Sequence, residues 1–434
     1  MKDIFTKIGL VILTSLYYFP FNSVWLPSVN TKMALAALAI PLFIILGAGA
    51  RSNKVEKGLV GLYVVGFLVT VIGIMSVIIN NTGDYTYASY FVSMCVWLGG
   101  AYVVTKAMHF AYGKVTVRVV GNFLIAVCVS QCIIAQLINS NAAIASVVDS
   151  FMVSTGFMGK HETRLYGIGC ALDVAGLRFC AVLLMTTVLS VTPVSKERRN
   201  VETLLYVVSY LIIAIFGSMI ARTTSIGVVL SMVLLIYYRC SHNDEESRLN
   251  VRNLIKTFVL VLLITIPAII LFYQISPEFK ENLRFGFEGF FSLAEQGEWD
   301  VRSNRQLASM MVWPDNLKTW LIGDGYFEVP QNDYYYTGPM YDYYMGTDVG
   351  YCRFIFYFGT LGLLAFSSVF IASAIVCSRK FPKYSAAFWG IAIMNFVGWI
   401  KVSSDIFLIF ALFLCIPKDN NGEYEDSIPD SLDI

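Results

Sequence analysis

The sequence has little charge. Only 14% of its 434 residues are Asp, Glu, Lys or Arg, whereas 57% are hydrophobic. A soluble domain carries about 25% charged residues, so the composition excludes that class and predicts a multi-span membrane protein. The formal net charge is +1, and without a basic excess we expect no nucleic-acid partner.

Histidine and cysteine are scarce where a metal site or a disulfide would need them. The three histidines, His109, His161 and His242, are scattered without metal-ligand spacing, so we expect neither a metal nor a cofactor. None of the nine cysteines falls in the long polar segment 276–348, and no external disulfide framework is predicted. The chain also lacks internal repeats, which disfavours a transporter built from two related halves, and we treat residues 1–434 as one membrane domain.

Apolar stretches long enough to cross a bilayer recur along the whole chain. They lie at residues 8–26, 33–50, 58–79, 87–105, 117–138, 166–192, 204–221, 223–238, 254–275, 349–376, 385–400 and 402–416. The sequence therefore predicts an all-α polytopic membrane protein with about 12 transmembrane helices.

Lysine and arginine divide unequally between the connecting segments. Nineteen fall on one side of the predicted membrane and ten on the other, and the two sides alternate without a break. Because cytosolic loops are enriched in basic residues, this pattern predicts that both termini are cytosolic. It places a smaller loop, 139–165, and a large, partly helical cap, 276–348, outside, and it leaves 417–434 as an acidic cytosolic tail.

The cap carries its own helical pattern. Apolar residues at helical spacing from Leu283 to Ala294 predict one amphipathic helix at the outer interface. A second helix is expected to begin after Asp300 as its N-cap and to stop before Pro314. The segment 323–326, Gly-Asp-Gly-Tyr, predicts a turn.

Arginines on the predicted outer side are candidates for binding an anion. Guanidinium groups hold phosphate oxygens bidentately and keep their charge. Arg222 lies beside three hydroxyls in a very short turn, Arg302 and Arg305 would share one helix face, and Arg164 stands at the mouth of a span. Each also has a structural interpretation, because Arg222 could snorkel to the interface and the others could form a solvated surface.

Arg178 is placed near the middle of a span, where an arginine costs about 2.5–3.5 kcal/mol on insertion scales. Asp173 lies five positions away, about 140° around a helix, so the two do not pair neatly. Each needs a partner from another helix or from a ligand. A structural ion pair and a functional site remain equal interpretations.

Asp348 and Arg353 flank the start of a span. Partial burial would raise the pKa of Asp348 and make it a general base, whereas Arg353 one turn on would lower it. Asp348 could instead cap the following helix. Six tyrosines cluster just before it, and we expect Tyr335, Tyr341 and Tyr344 to belong to a glycan-binding surface, although interfacial tyrosines also serve as membrane anchors.

The arrangement resembles the O-antigen polymerases of bacterial envelopes. The shared features are the span pattern, the two external loops, and four short motifs. These motifs are Asp-Val-Gly-Tyr-Cys-Arg at 348–353, Phe-Gly-Thr-Leu-Gly at 358–362, Ala-Arg-Thr at 221–223 and Arg-Leu-Tyr-Gly at 164–167. Some members have glycine eleven positions after an arginine in each large loop. Here Arg164 leads to Ala175, with Gly176 one position beyond.

The resemblance implies an inverting glycosyltransferase that needs no metal. It would join glycan repeat units carried on undecaprenyl diphosphate, at the outer face of the bacterial cytoplasmic (inner) membrane, into O-antigen, capsule or exopolysaccharide. Membrane lipid, a chain-length regulator and a flippase are the partners expected. Diphosphate binding is assigned to Arg164, Arg178, Arg222, Arg302 and Arg305, with catalysis assigned to Asp348 and Arg353.

Two alternatives stay open. The related O-antigen ligases use a histidine near the end of the large loop, and segment 276–348 contains none, which favours polymerase over ligase. A twelve-span transporter would need polar residues through the cytosolic half of its spans, and here those halves are nearly uncharged.

Overall fold

A computed structural model describes residues 2–47, 57–153, 164–192, 199–241, 245–330 and 343–416. The predicted glycan-binding residues Tyr335 and Tyr341 and the predicted tail 417–434 lie outside these ranges. The other candidate residues all fall within them.

The described chain is built almost entirely from helices, and the all-α class is confirmed. The helices are α1 Lys2–Tyr18, α2 Thr31–Gly47, α3 Lys57–Asn80, α4 Tyr90–Tyr112, α5 Val117–Ser140, α6 Ala142–Phe151, α7 Leu172–Val191, α8 Arg199–Ile220, α9 Thr224–Ser241, α10 Glu245–Ile275, α11 Pro277–Gly286, α12 Glu288–Gln296, α13 Arg302–Ser309, α14 Leu317–Ile322, α15 Gly350–Lys380, α16 Ser385–Gly398 and α17 Phe407–Leu414. One small antiparallel ribbon, β1 Asn22–Ser23 with β2 Leu26–Asn30, was not predicted.

Eight of the described helices are long and apolar enough to cross a membrane, as judged by length and composition. They are α3, α4, α5, α7, α8, α9, α10 and α15. Each of the twelve predicted stretches contains a helix, but α1, α2, α16 and α17 are shorter than these eight. The chain has the make-up of a multi-pass membrane protein.

Helix α7 lies at the centre of the bundle. Every side chain from Ala175 to Val191 is buried, and α7 packs against α5, α8, α9 and α16. Helix α10 lies at the periphery, where Leu263 and Ile264 are 67% and 69% exposed. An apolar face of this kind is expected of a helix that contacts lipid.

The cap differs from its prediction in two places. The single helix expected from Leu283 to Ala294 is two helices, α11 and α12, separated at Phe287 with φ −119° and ψ 30°. Helix α13 begins as expected after Asp300, but its N-cap is Val301, so the predicted Asp300 cap is wrong. The segment 323–326, predicted as a turn, is irregular with a bend at Gly325, and Gly323 and Gly325 have positive φ.

Helix α15 is interrupted at Gly359, where φ is +68°. A Cβ at this position would collide with the backbone of Leu321 in α14. Glycine is therefore required both by the left-handed backbone and by the close approach of α14. This contact anchors the end of the cap against the span that follows it.

Candidate functional site

Two of the predicted arginines, Arg164 and Arg222, contact the same phenylalanine, and a third, Arg302, lies near Arg222. The ring of Phe285 lies 4.8 Å from the guanidinium carbon of Arg164 and 4.1 Å from that of Arg222. Arg302 is close enough to act electrostatically on Arg222, as is Arg164. Arg164 lies in the irregular segment before α7, Arg222 in the turn between α8 and α9, and Arg302 at the start of α13 in the cap. We call them, with Phe285, the arginine cluster.

Arg222 occupies the turn between α8 and α9. The turn is closed by a hydrogen bond from the Thr224 amide to the Ala221 carbonyl, at 3.0 Å. Helix α7 packs closely against this turn: a Cβ on Gly176 of α7 would overlap Thr223 Oγ1. Irregular backbone between two packed spans thus holds the arginine at the end of the bundle that carries the cap.

The guanidinium of Arg222 is held by three cap residues. Its Nε donates to the Phe285 carbonyl at 2.9 Å, and its Nη1 donates to Ser303 Oγ at 3.0 Å. Nη1 also lies 2.6 Å from Glu288 Oε2, with the Arg222 side chain only 17% exposed. Burial lowers the pKa of Arg222 and the Glu288 carboxylate opposes that shift, and the ordinary pKa of arginine is high enough to keep it charged.

A second carboxylate, Asp173, lies on the other side of the turn. It accepts a hydrogen bond from Thr223 Oγ1 at 3.3 Å and pairs with Lys401 Nζ at 3.0 Å. Its charge also acts on Arg222. The expectation that Asp173 does not pair with Arg178 is confirmed, because its partner comes from the segment after α16.

Among the described residues of this region, the charges do not cancel. Four cationic side chains, Arg164, Arg222, Arg302 and Lys401, face two carboxylates, Asp173 and Glu288. The excess of two positive charges lies at the rim of the bundle. It suits an anionic ligand that presents several oxygens.

Arg178 lies deeper, within α7, and is 9% exposed. Its guanidinium carbon is 5.7 Å from the Phe19 ring, and among the described residues its Nε has no hydrogen-bond partner. Lys32 and Asp405 are near enough to interact with it electrostatically. The structure therefore places Arg178 in a separate polar group below the arginine cluster.

Arg305 points away from the cluster. Its side chain is 71% exposed and pairs with Asp300 at 3.0 Å. It shares α13 with Arg302, as predicted, but the residues of that helix found near Arg222 are Arg302 and Ser303.

Arg353 is buried at the start of α15 and stacks between two aromatic rings. Its guanidinium carbon lies 3.7 Å from Phe327 and 3.9 Å from Tyr343. Its Nη2 donates to Glu328 Oε1 at 3.1 Å, so the carboxylate it pairs with is Glu328. Burial raises the pKa of Glu328, while Arg353 acts in the opposite direction.

Asp348 is half-buried, two residues before α15. The helix has Val349 as its N-cap, with no side-chain cap bond, so the capping alternative for Asp348 is wrong. Val349 packs in a cluster that includes Leu307 and Met310, near the end of α13 opposite to Arg302. Eight residues of helix separate the two ends by about 12 Å, so Asp348 and the arginine cluster flank α13.

Tyr344 is the one predicted glycan-binding tyrosine within the described ranges. Its hydroxyl donates to Asp324 Oδ2 at 3.2 Å, and its ring packs on Tyr326 and Phe356. It is half-buried and helps to secure the segment 323–326.

Several residues of the site were missed in the sequence. Phe285, Glu288 and Ser303 carry no local signal, because their contacts with Arg222 span more than 60 residues. Lys401 did carry a signal in the sequence, because it is a basic residue on the predicted side of the membrane that is poor in basic residues.

Throughout the described ranges, no three His, Cys, Asp or Glu side chains gather in a way that could hold a metal ion. Comparisons with protein-family models, with curated proteins and with solved structures find no match for this chain.

Proposed function

We propose that this protein is a polysaccharide polymerase of the bacterial cytoplasmic membrane. It would transfer a growing glycan from undecaprenyl diphosphate to a sugar hydroxyl of a second lipid-linked repeat unit. The arginine cluster would hold the diphosphate of the donor, and the cap would face the outside of the cell.

The convergence of Arg164, Arg222 and Arg302 at the cap end of the bundle is the observation that supports this proposal most. A diphosphate diester carries one ionised oxygen on each phosphate, which matches the excess of two positive charges around the turn at Arg222. Charge-assisted hydrogen bonds to such oxygens are about twice as strong as neutral ones. Because negative charge builds up on the leaving diphosphate as the glycosidic bond breaks, these donors would lower the barrier to transfer.

The reaction is a single displacement. The acceptor hydroxyl oxygen bonds to the anomeric carbon, the bond from that carbon to the diphosphate oxygen breaks, and its electron pair leaves with the diphosphate. The hydroxyl proton goes to a carboxylate. Asp348 stays the predicted base, and Asp173, whose charge acts on Arg222, is a second candidate.

The orientation proposed for the chain follows the distribution of basic residues. The ends of the helices opposite to the cap carry most of the lysine and arginine. With twelve spans, both termini would then be cytosolic, and the arginine cluster would lie at the outer rim, where a lipid diphosphate can reach it from the bilayer.

The direct test is polymerisation of purified lipid-linked repeat units by the purified protein. We expect a ladder of glycan lengths from the wild type. Arg222→Ala should yield unextended units, whereas Arg305→Ala should keep the ladder, because Arg305 lies outside the cluster and serves as a matched control. A normal ladder from Arg222→Ala would reject the assigned role of the cluster.

A deletion strain separates the rival functions. Loss of polymer supports the polymerase, whereas accumulation of full-length polymer on its lipid carrier indicates an O-antigen ligase. Accumulation of single repeat units on the cytosolic face indicates a transporter.

A further inference from the structure

A cavity of about 800 Å³ lies at the end of the bundle opposite to the cap. It is formed by the C-terminal part of α7, by α9, α10 and α16, and by the turn before α16. We call it the basal cavity. Arg222 stands at the beginning of α9 and the basal cavity at Tyr237 near its end, so about 20 Å of helix separates the cavity from the arginine cluster.

The walls of the basal cavity are largely apolar and open toward the surface of the bundle. Val233 of α9 and Ile393 of α16 line it and are 55% and 50% exposed. Trp389 also lines it and is 39% exposed. In a membrane protein, apolar side chains in this position contact acyl chains.

Two polar groups face this apolar space. Asn250 of α10 lines the cavity and is only 6% exposed, yet among the described residues its Oδ1 has no hydrogen-bond partner. A buried amide oxygen that lacks a hydrogen bond costs about 1–3 kcal/mol. A ligand that donates a hydrogen bond to this oxygen would therefore gain binding free energy. Lys383 supplies a cation at the rim.

The surrounding charge selects the sign of the ligand. Basic residues at this end of the bundle include Arg239, Arg248, Arg252, Arg379, Lys380 and Lys383, and they outnumber the acidic Glu245 and Glu246 at the start of α10. Anionic headgroups are attracted to such basic surfaces next to membrane spans. The volume also falls in the usual range of ligand cavities, about 300–1,000 Å³.

We propose that the basal cavity binds one anionic phospholipid from the adjacent leaflet. Its phosphate would accept from Lys383 Nζ, a hydroxyl of its headgroup would donate to Asn250 Oδ1, and its acyl chains would lie along Val233 and Ile393. This inference is independent of the proposed glycosyl transfer, because the two sites lie at opposite ends of α9.

Native mass spectrometry of the purified full chain in detergent tests the proposal. The probes are phosphatidylglycerol and phosphatidylcholine with identical acyl chains. We expect one phosphatidylglycerol to bind the wild type at least about fivefold more tightly than phosphatidylcholine, the factor typical of one basic side chain at a membrane surface. Equal binding of the two lipids would overturn the proposal.

Two pairs of variants locate the site. Lys383→Gln should remove the preference for phosphatidylglycerol, whereas Arg379→Gln, a basic residue of the same end that does not line the cavity, should keep it. Gly390→Leu should exclude both lipids by filling the cavity, whereas Gly390→Ala should retain them, because its Cβ would meet Leu234 at an ordinary 3.4 Å. Equal losses from Lys383→Gln and Arg379→Gln would assign the preference to general surface charge and reject the site.

Discussion

Replacing Arg222 with alanine removes the most connected side chain of the arginine cluster. The change deletes the Nε bond to the Phe285 carbonyl, the Nη1 bond to Ser303 and the 2.6 Å ion pair with Glu288. It also exposes the face of the Phe285 ring on which the guanidinium stacks. The effects on folding and on catalysis differ in size and can be measured separately.

The cost to folding is limited by water. A hydrogen bond to a charged group contributes about 1.5–3 kcal/mol when fully buried, but Arg222 and Glu288 are 17% and 31% exposed, so water solvates the carboxylate that is left behind. We expect a loss of about 1–2 kcal/mol in the free energy of unfolding. In a thermal melt this corresponds to a decrease of a few degrees, about 2–4 °C per kcal/mol.

The cost to transfer is larger, because the interaction with the leaving diphosphate strengthens in the transition state. Loss of one such donor lowers kcat by about 100- to 1,000-fold. Arg222→Lys keeps the charge but loses the two-pronged geometry, and we expect an intermediate loss of about tenfold, equivalent to ~1.4 kcal/mol. The assay is the rate of glycan extension by purified protein, compared with the midpoint of its thermal melt.

Two results would refute this reasoning. A rate within twofold of the wild type for Arg222→Ala shows that the cluster does not bind the leaving group. A rate that falls in equal measure for Arg222→Ala, for Arg222→Lys and for the control Arg305→Ala shows a general loss of surface charge instead of a specific site.

Four further substitutions test other residues of the proposed site. Glu288→Gln removes the carboxylate that competes with a diphosphate for Nη1, and we expect the KM for the donor to fall about two- to fivefold; a higher KM would contradict a binding role for the cluster. Asp348→Asn and Asp173→Asn compare the two candidate bases, and the true base should show a fall in kcat of at least about 100-fold with little change in KM; equal, small effects would exclude both. Gly176→Ala places a Cβ on Thr223 Oγ1 and should shift the turn of Arg222, lowering activity at least about tenfold. The control Gly390→Ala, whose Cβ would make ordinary contacts, should keep full activity. Intact activity in Gly176→Ala would show that the turn tolerates displacement.

The spans were predictable because lipid imposes one requirement along each of them. A run of apolar residues long enough for the bilayer must form a helix, since every backbone group has to be satisfied within the segment. Each of the twelve predicted stretches contains a helix, and eight of these helices are long and apolar enough to cross a membrane, whereas the shorter lengths of the other four were not predicted. Helix α17 has only eight residues, because the chain between Trp399 and Ile406 is irregular and supplies Lys401 and Ser403 to neighbours instead.

The cap was less predictable because tertiary contacts decide its helices. Periodicity from Leu283 to Ala294 runs unbroken through Phe287, yet the helix breaks there so that the Phe285 carbonyl can meet Arg222. Propensity and pattern describe a helix in isolation. They contain no information about a backbone carbonyl that accepts a hydrogen bond from an arginine far away in the sequence.

The sequence predicted that arginines form the candidate site, but it did not predict which of them come together. Five arginines were selected by position relative to the membrane, and the structure brings three together, leaves Arg178 deeper in α7 and leaves Arg305 paired with Asp300. A sequence shows which arginines reach the rim. Arg302 and Arg305 are equivalent by spacing and both are exposed, and only their neighbours, Arg222 for the one and Asp300 for the other, distinguish them.

The carboxylates resolve a difficulty that the arginines raise by themselves. Guanidinium groups gathered at a partly buried site repel one another, and burial adds a cost for each charge. Glu288 and Asp173 reduce both costs, since each lies against the turn at Arg222 from a different side. The turn can therefore fold with its arginines charged, and among the described residues it keeps an excess of positive charge that an anionic ligand would neutralise. The same carboxylates that make the cluster foldable also set its affinity, which is why removing Glu288 is expected to strengthen binding while removing Arg222 abolishes transfer.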